Sequence, residues 1–74
     1  MKKLNVGCGK DYRVGYINLD FNRNLKADVH HDINTFPYPF EDNTFDEIYC
    51  HHVLERVDNI LKAMEELWRI SKPG

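Results

Sequence analysis

At 74 residues the chain has room for one small domain. Size scaling lets such a domain bury only about 60–65% of its unfolded surface, so marginal stability is expected. A hydrophobic fraction of 42% with 30% charged residues is globular rather than disordered, and a formal charge of −2 without a basic stripe gives no signal for nucleic acid. No apolar run resembles a membrane span or a secretory leader, and Cys8 and Cys50 lie in or beside apolar runs, so free thiols in a cytoplasmic protein are expected.

Leu4, Val6 and Cys8 alternate with Asn5 and Gly7, a short strand that the glycines end. Gly7-Cys8-Gly9 allows a sharp turn and a close approach of the backbone to a ligand. Residues 10–15 are too few for a helix, so at most one turn precedes a second strand over 16–20. Ile17 and Leu19 share one of its faces, Tyr16 and Asn18 the other. Residues 21–26 read as loop, 27–30 as a short third strand ending near Asp32, and 34–44 as a loop whose prolines lack ladder donors. Phe36, Tyr38, Phe40 and Phe45 interleave with those prolines and should pin the loop to the body of the domain. The next strand runs from Phe45 to Cys50. Ile60, Leu61, Met64, Leu67 and Trp68 then form one stripe of a helix, expected to cover the strands. Asp58 is its expected N-cap, Glu65 and Arg69 an i,i+4 pair, and Lys72-Pro73-Gly74 its stop signal.

This order of elements predicts a parallel α/β sheet, whose ligand edge lies at the C-terminal ends of the strands. Gly7 to Lys10, Asp20, Asp32 and Cys50 to His52 all fall at such ends. The Gly-x-Gly reads either as a tight turn or as a backbone platform for the polar tail of a cofactor. Asp20, with Phe21 beside it, is either a solvated carboxylate or an acceptor for ribose hydroxyls. Asp32 and Ile33 offer a carboxylate to an adenine amino group and an apolar surface to its ring. A P-loop is absent, Tyr12 occupies the third glycine position of the dinucleotide fingerprint, and no helix follows. A diphosphate would therefore lack its usual helix terminus, which favours a cofactor without phosphates.

The pairs His30-His31 and His51-His52 invite a metal reading. Neighbours on a strand point to opposite faces, however, and no H-E-x-x-H or cysteine-rich spacing is present. His51 or His52 lines the pocket, or the pair is structural. The only serine, Ser71, sits at the tail and supports no Ser-His-Asp arrangement.

Taken together, LNVGCG (4–9), INLD (17–20), ADVHHDI (27–33), FPYPFEDNTFDEIYCHHVLERV (36–57) and LKAMEELWRISKPG (61–74) resemble the N-terminal half of a class I S-adenosylmethionine-dependent methyltransferase of the UbiE-like, methyltransferase domain 11 type. The resemblance is to members whose first helix is nearly lost. It implies a truncated, mostly parallel Rossmann-like α/β sheet, with residues 1–74 forming the cofactor-binding part of one domain that continues beyond 74. It implies S-adenosyl-L-methionine as cofactor, with Gly7, Cys8 and Gly9 cradling the methionine part and Asp20 and Phe21 at the ribose. Asp32 and Ile33 would flank the adenine, and Cys50 and His51, at the fourth strand end, would complete the cofactor-binding set. No catalytic residue is assigned, beyond His51 or His52 as a base if its ring points into the cleft.

Three departures from the family pattern stand out. Lys10-Asp11 replace small residues, Arg56 stands where histidine is common, and the missing helix means that loop 10–16 must cover the cofactor differently. The methyl acceptor, a small molecule or a protein, is unidentified. The chain alone is expected to be inactive and to bind cofactor weakly, with the strand from Phe45 to Cys50 left as an edge open to self-association. Two other readings compete. A nicotinamide-dependent oxidoreductase fragment would need a glycine at position 12 and a helix from Lys10. A non-catalytic α/β module would bind a partner protein through its strand edge or aromatic loop.

Overall fold

In the computed structural model of the chain, which describes residues 1–50 and 53–73, the alternating segments become four strands. They are β1 (Lys3–Val6), β2 (Ile17–Asp20), β3 (Val29–His30) and β4 (Glu47–Cys50). All pair in parallel in the order β3-β2-β1-β4, with Leu4 level with Ile17 and Ile48, and Val6 level with Leu19 and Cys50. Their C-terminal ends therefore share one edge of the sheet, and β4 forms a margin, paired with β1 alone. Phe45, expected inside that strand, lies before it and bridges to Ser71. β3 is shorter than expected because Asp28 is committed to Asn18: its amide donates to the Asn18 carbonyl at 2.8 Å, and its carboxylate accepts the Asn18 amide at 2.7 Å.

One sheet face carries the apolar core. Leu4, Val6 and Leu19 meet Tyr38, Phe45, Val53 and Ile70 there. Phe45 and Ile70 are both 0% exposed, and burial of each such side chain is worth about 2–3 kcal/mol. The proline-rich loop does fold onto the body. Phe36 stacks on Tyr38 with ring centroids 5.4 Å apart, and Phe40 meets Phe45 edge-on at 4.9 Å. The buried Tyr38 hydroxyl donates to the Ile33 carbonyl at 2.9 Å, which satisfies its polar tip, and burial pushes the phenol up to about 12.

The opposite face is covered by a loop. Asn5 and Asn18 are buried on it, joined by a 2.9 Å hydrogen bond from Asn5 Nδ2 to Asn18 Oδ1. Asn5 also donates to the Asp11 carbonyl, while Asn18 accepts the Arg13 amide and donates to the Arg13 and Tyr16 carbonyls. The Arg13 guanidinium lies 3.9 Å from the centre of the Tyr49 ring. Two buried amides thus hold residues 11–16 flat against the sheet. This corrects the expectation that loop 10–16 covers the ligand edge.

Helix α1 (Ile60–Ile70) begins one residue later than expected. Asn59, not Asp58, is the N-cap, its side chain accepting the Lys62 amide at 3.1 Å. The Asp58 amide is held by Asn34 Oδ1 at 2.9 Å, which keeps Asp58 in the preceding connection. Ser71 closes the C-terminus with its amide on the Leu67 and Trp68 carbonyls.

The expected apolar stripe does not cover the strands. Ile60 and Met64 are 50% exposed, Leu61 75% and Trp68 81%, whereas Ala63 and Ile70 are buried and Leu67 is half-buried. Polar contacts fix the rotation of the helix instead. The Arg69 guanidinium donates to the Tyr38 and Phe40 carbonyls, to Asp42 and to Glu66, and Glu66 in turn accepts the Tyr38 amide at 2.7 Å. Arg69 therefore pairs with Glu66, at i,i+3, in place of the expected Glu65. Periodicity finds an apolar stripe, but it cannot say which side of a helix a hydrogen-bonded guanidinium will lock inward. Among the described residues no helix is long and apolar enough to cross a membrane. Both cysteines are free.

Candidate functional site

The glycine turn after β1 adopts left-handed backbone at Gly7 (φ 65°) and Gly9 (φ 53°), a conformation costly for side chains with a Cβ. A Cβ on Gly7 would lie 2.5 Å from Cγ2 of Val53, so this glycine also admits a neighbouring segment. A Cβ on Gly9 would meet nothing within 4 Å. The amides of the turn are committed within the chain: Cys8 donates to the Leu19 carbonyl at 3.0 Å and Gly9 to Asp20 Oδ2 at 2.7 Å. What the turn presents to a ligand at Gly9 is open space rather than a free N–H.

Asp20 ends β2 with both carboxylate oxygens engaged, Oδ2 by Gly9 and Oδ1 by the Asn22 amide at 2.8 Å. This ties the two loops together and fixes the carboxylate, while each oxygen retains acceptor capacity. Asp32 is held at one oxygen, Oδ1 accepting the Asn34 amide at 2.9 Å. A cavity of about 450 Å³ opens at this edge, lined by Gly7, Gly9, Asp20, Phe21, Asp32 and Ile33 together with Asn34, Val53 and Arg56. Small-molecule sites typically span about 300–1,000 Å³.

Six of the nine residues expected to bind the cofactor thus line one cavity. Cys8 and Cys50 are not among its lining residues. Cys8 is buried, its Sγ 3.7 Å from the Lys26 carbonyl, and burial, with the Asp20 and Asp28 charges adding, raises its pKa. Cys50 packs half-buried against the core, and burial raises its thiol as well. Neither therefore offers a thiolate at neutral pH. His51 and His52 lie outside the described residues. His30 and His31 are taken up locally, their Nε2 atoms 3.1 Å from the Leu25 carbonyl and 2.9 Å from the Thr35 carbonyl.

Asn34, Val53 and Arg56 were not anticipated as lining residues. The signal for Val53 is Gly7 itself, because a glycine at a strand end often marks close approach by another segment. Asn34 lines the cavity beside Asp32, and Arg56 lines it from the turn that follows Val53, and no local pattern announces either.

Comparison with known proteins agrees with this geometry. A family profile described as a methyltransferase domain matches residues 4–74. The chain is 36% identical over 86 aligned positions to an uncharacterized protein of Methanocaldococcus jannaschii, covering 93% of this chain and 35% of that protein. It is 47% identical over 36 residues to the sterol 4-C-methyltransferase strm-1 of Caenorhabditis elegans, covering 49% of this chain and 11% of that one. An uncharacterized methyltransferase of Schizosaccharomyces pombe is 44% identical over 39 residues, covering 53% of this chain and 14% of that protein. The chain thus spans about a third or less of the curated relatives it matches. No solved structure matches significantly. With the parallel sheet, the ligand-edge cavity and a profile match over nearly its whole length, the chain belongs to the methyltransferase domain family, class I.

Proposed function

We propose that the chain is the S-adenosyl-L-methionine-binding part of a methyltransferase, with an acceptor still to be identified. The observation that carries this reading is the meeting of Gly7, Gly9, Asp20, Phe21, Asp32 and Ile33 in one cavity at the C-terminal strand ends. The cavity fits the group: it has room for a nucleoside, open space at Gly9, two fixed carboxylates for hydroxyl and amino donors, and apolar side chains for a ring.

When bound, S-adenosyl-L-methionine supplies a sulfonium methyl group for direct transfer to an acceptor oxygen, nitrogen or carbon. In this reading Asp20 accepts the ribose hydroxyls, held in place by Gly9 and Asn22. Asp32 accepts the adenine amino group, and Ile33 and Phe21 flank the ring. Gly7 and Gly9 leave space for the amino-acid end. Such fixed contacts convert binding into alignment of donor and acceptor. No base is assigned, and the chain by itself is proposed to bind cofactor without turnover, because it matches only a minor part of each relative. A reducing, cytoplasmic setting is proposed from the two free thiols.

A nicotinamide cofactor is the competing ligand. It is disfavoured because residues 11–16 lie flat on the sheet, so no helix N-terminus stands behind the glycine turn to meet a diphosphate. Calorimetric titration with S-adenosylhomocysteine and with NADH decides between them. Binding of the first and not the second is expected. The reverse result overturns the proposal, and binding of neither favours a non-catalytic partner-binding module.

A further inference from the structure

Among the described residues lining the cavity, Arg56 is the only cation, alongside the carboxylates of Asp20 and Asp32. Its place is not left to a loose loop. It ends a single 3-10 turn, Leu54–Arg56, whose geometry is held at three points. Val53, just before the turn, packs where a Gly7 side chain would be. The Arg56 amide donates to the Val53 carbonyl at 2.9 Å. Two residues on, the Asp58 amide donates to Asn34 Oδ1 at 2.9 Å, and Asn34 itself lines the cavity beside Asp32. The backbone that carries the guanidinium is therefore tied both to the glycine turn and to the Asp32–Asn34 wall.

The geometry points to Arg56 as the anchor for the α-carboxylate of the cofactor's methionyl group, an inference that rests on the cofactor reading above. The ligand carries one carboxylate, one ammonium and one sulfonium, for a formal charge of +1. The two carboxylates and one guanidinium of the described lining sum to −1, its complement. Within that set a carboxylate would be repelled by Asp20 and Asp32 and can pair only with Arg56. Those two acids serve the nucleoside end, so the amino-acid end falls toward Gly7, Gly9, Val53 and Arg56. A planar guanidinium can hold a carboxylate through two parallel hydrogen bonds, which fixes direction as well as charge. Asn34 acts as a positioning residue through its bond to Asp58.

The test compares S-adenosylhomocysteine with 5′-methylthioadenosine, which keeps the nucleoside and the sulfur but lacks the amino acid. Both are titrated calorimetrically into the wild-type chain and into Arg56→Ala and Arg56→Lys. Arg56→Ala is expected to weaken S-adenosylhomocysteine roughly 10-fold while leaving methylthioadenosine unchanged, with Arg56→Lys in between. Retained methylthioadenosine binding also reports that the cavity is still folded. The inference is overturned if S-adenosylhomocysteine binds Arg56→Ala as tightly as wild type, or if both ligands weaken equally. Failure of the wild type to bind either ligand would instead overturn the cofactor reading beneath it.

Discussion

The Val53 side chain occupies the position that a side chain on Gly7 would take, with Cγ2 only 2.5 Å from the ideal Cβ. Gly7 is also left-handed, so two separate penalties meet at one residue. Gly7→Ala should cost about 2–4 kcal/mol, combining left-handed backbone strain with overpacking. Gly9→Ala faces strain alone, because nothing lies within 4 Å, and should cost about 1–2 kcal/mol. Adding Val53→Ala to Gly7→Ala should relieve the clash while leaving the strain and opening a small cavity. Urea denaturation of the four proteins separates these contributions, and equal losses for the two glycine variants would contradict the packing described here.

The clamp between Glu66 and Arg69 makes stability depend on acid pH. Hydrogen bonds from the Arg69 guanidinium, with the Tyr38 amide helping, hold the Glu66 carboxyl below its ordinary value. Between the folded and unfolded pKa values the unfolded chain binds more protons, so stability rises with pH across that window. The contribution is complete above the unfolded value of about 4.3 and is lost as pH falls through the folded one. Glu66→Gln should cost about 1–3 kcal/mol at neutral pH and flatten the acid limb of a stability–pH curve. The limb should not vanish, because Asp46, bonded by the Lys2 amide, and Asp28, bonded by the Asn18 amide, are also held low. Identical pH profiles for wild type and Glu66→Gln would count against the clamp.

These two cases mark what could be read in the chain and what could not. The strands follow from period-two alternation, their parallel pairing from the order of elements, and the convergence of Gly7, Asp20 and Asp32 from residue types that end strands. Such signals are local. The helix was legible for the same reason, but its orientation was not: Arg69 reaches the Tyr38 and Phe40 carbonyls across 29 to 31 residues of sequence. Asn5 and Asn18 were equally opaque. The strand pattern places them only on the face opposite the apolar positions, yet both are buried and bonded to a loop that takes the place of a helix.

Trp68 tests that orientation directly, since it is the only tryptophan. At 81% exposure its fluorescence should be that of a water-facing indole and should be quenched freely by acrylamide. Trp68→Lys should change stability by no more than about 0.5 kcal/mol, the usual range for surface positions. Had the stripe of Ile60, Leu61, Met64, Leu67 and Trp68 covered the sheet, the emission would be blue-shifted and the substitution severe. A blue-shifted, protected spectrum in dilute solution would show that the helix is turned the other way.

Asp20 carries the nucleoside half of the proposed site, and its substitution separates charge from shape. Both of its oxygens accept backbone amides, from Gly9 and Asn22, so an asparagine there must turn its own NH₂ toward one of those donors. Asp20→Asn should therefore loosen the two loops and remove an acceptor for the ribose hydroxyls, weakening S-adenosylhomocysteine roughly 10-fold or more. Asp32→Asn should do less, because an amide oxygen can still accept both the Asn34 amide and an adenine amino group. Ligand-induced thermal stabilisation provides the readout. At a ligand concentration 100 times the dissociation constant the wild type should gain about 2.7 kcal/mol, and Asp20→Asn much less at the same concentration. If Asp20→Asn keeps the full ligand-induced shift, the ribose does not rest on this carboxylate, and the polarity of the proposed binding mode, with the nucleoside at Asp20 and Asp32 and the amino acid at Arg56, is wrong.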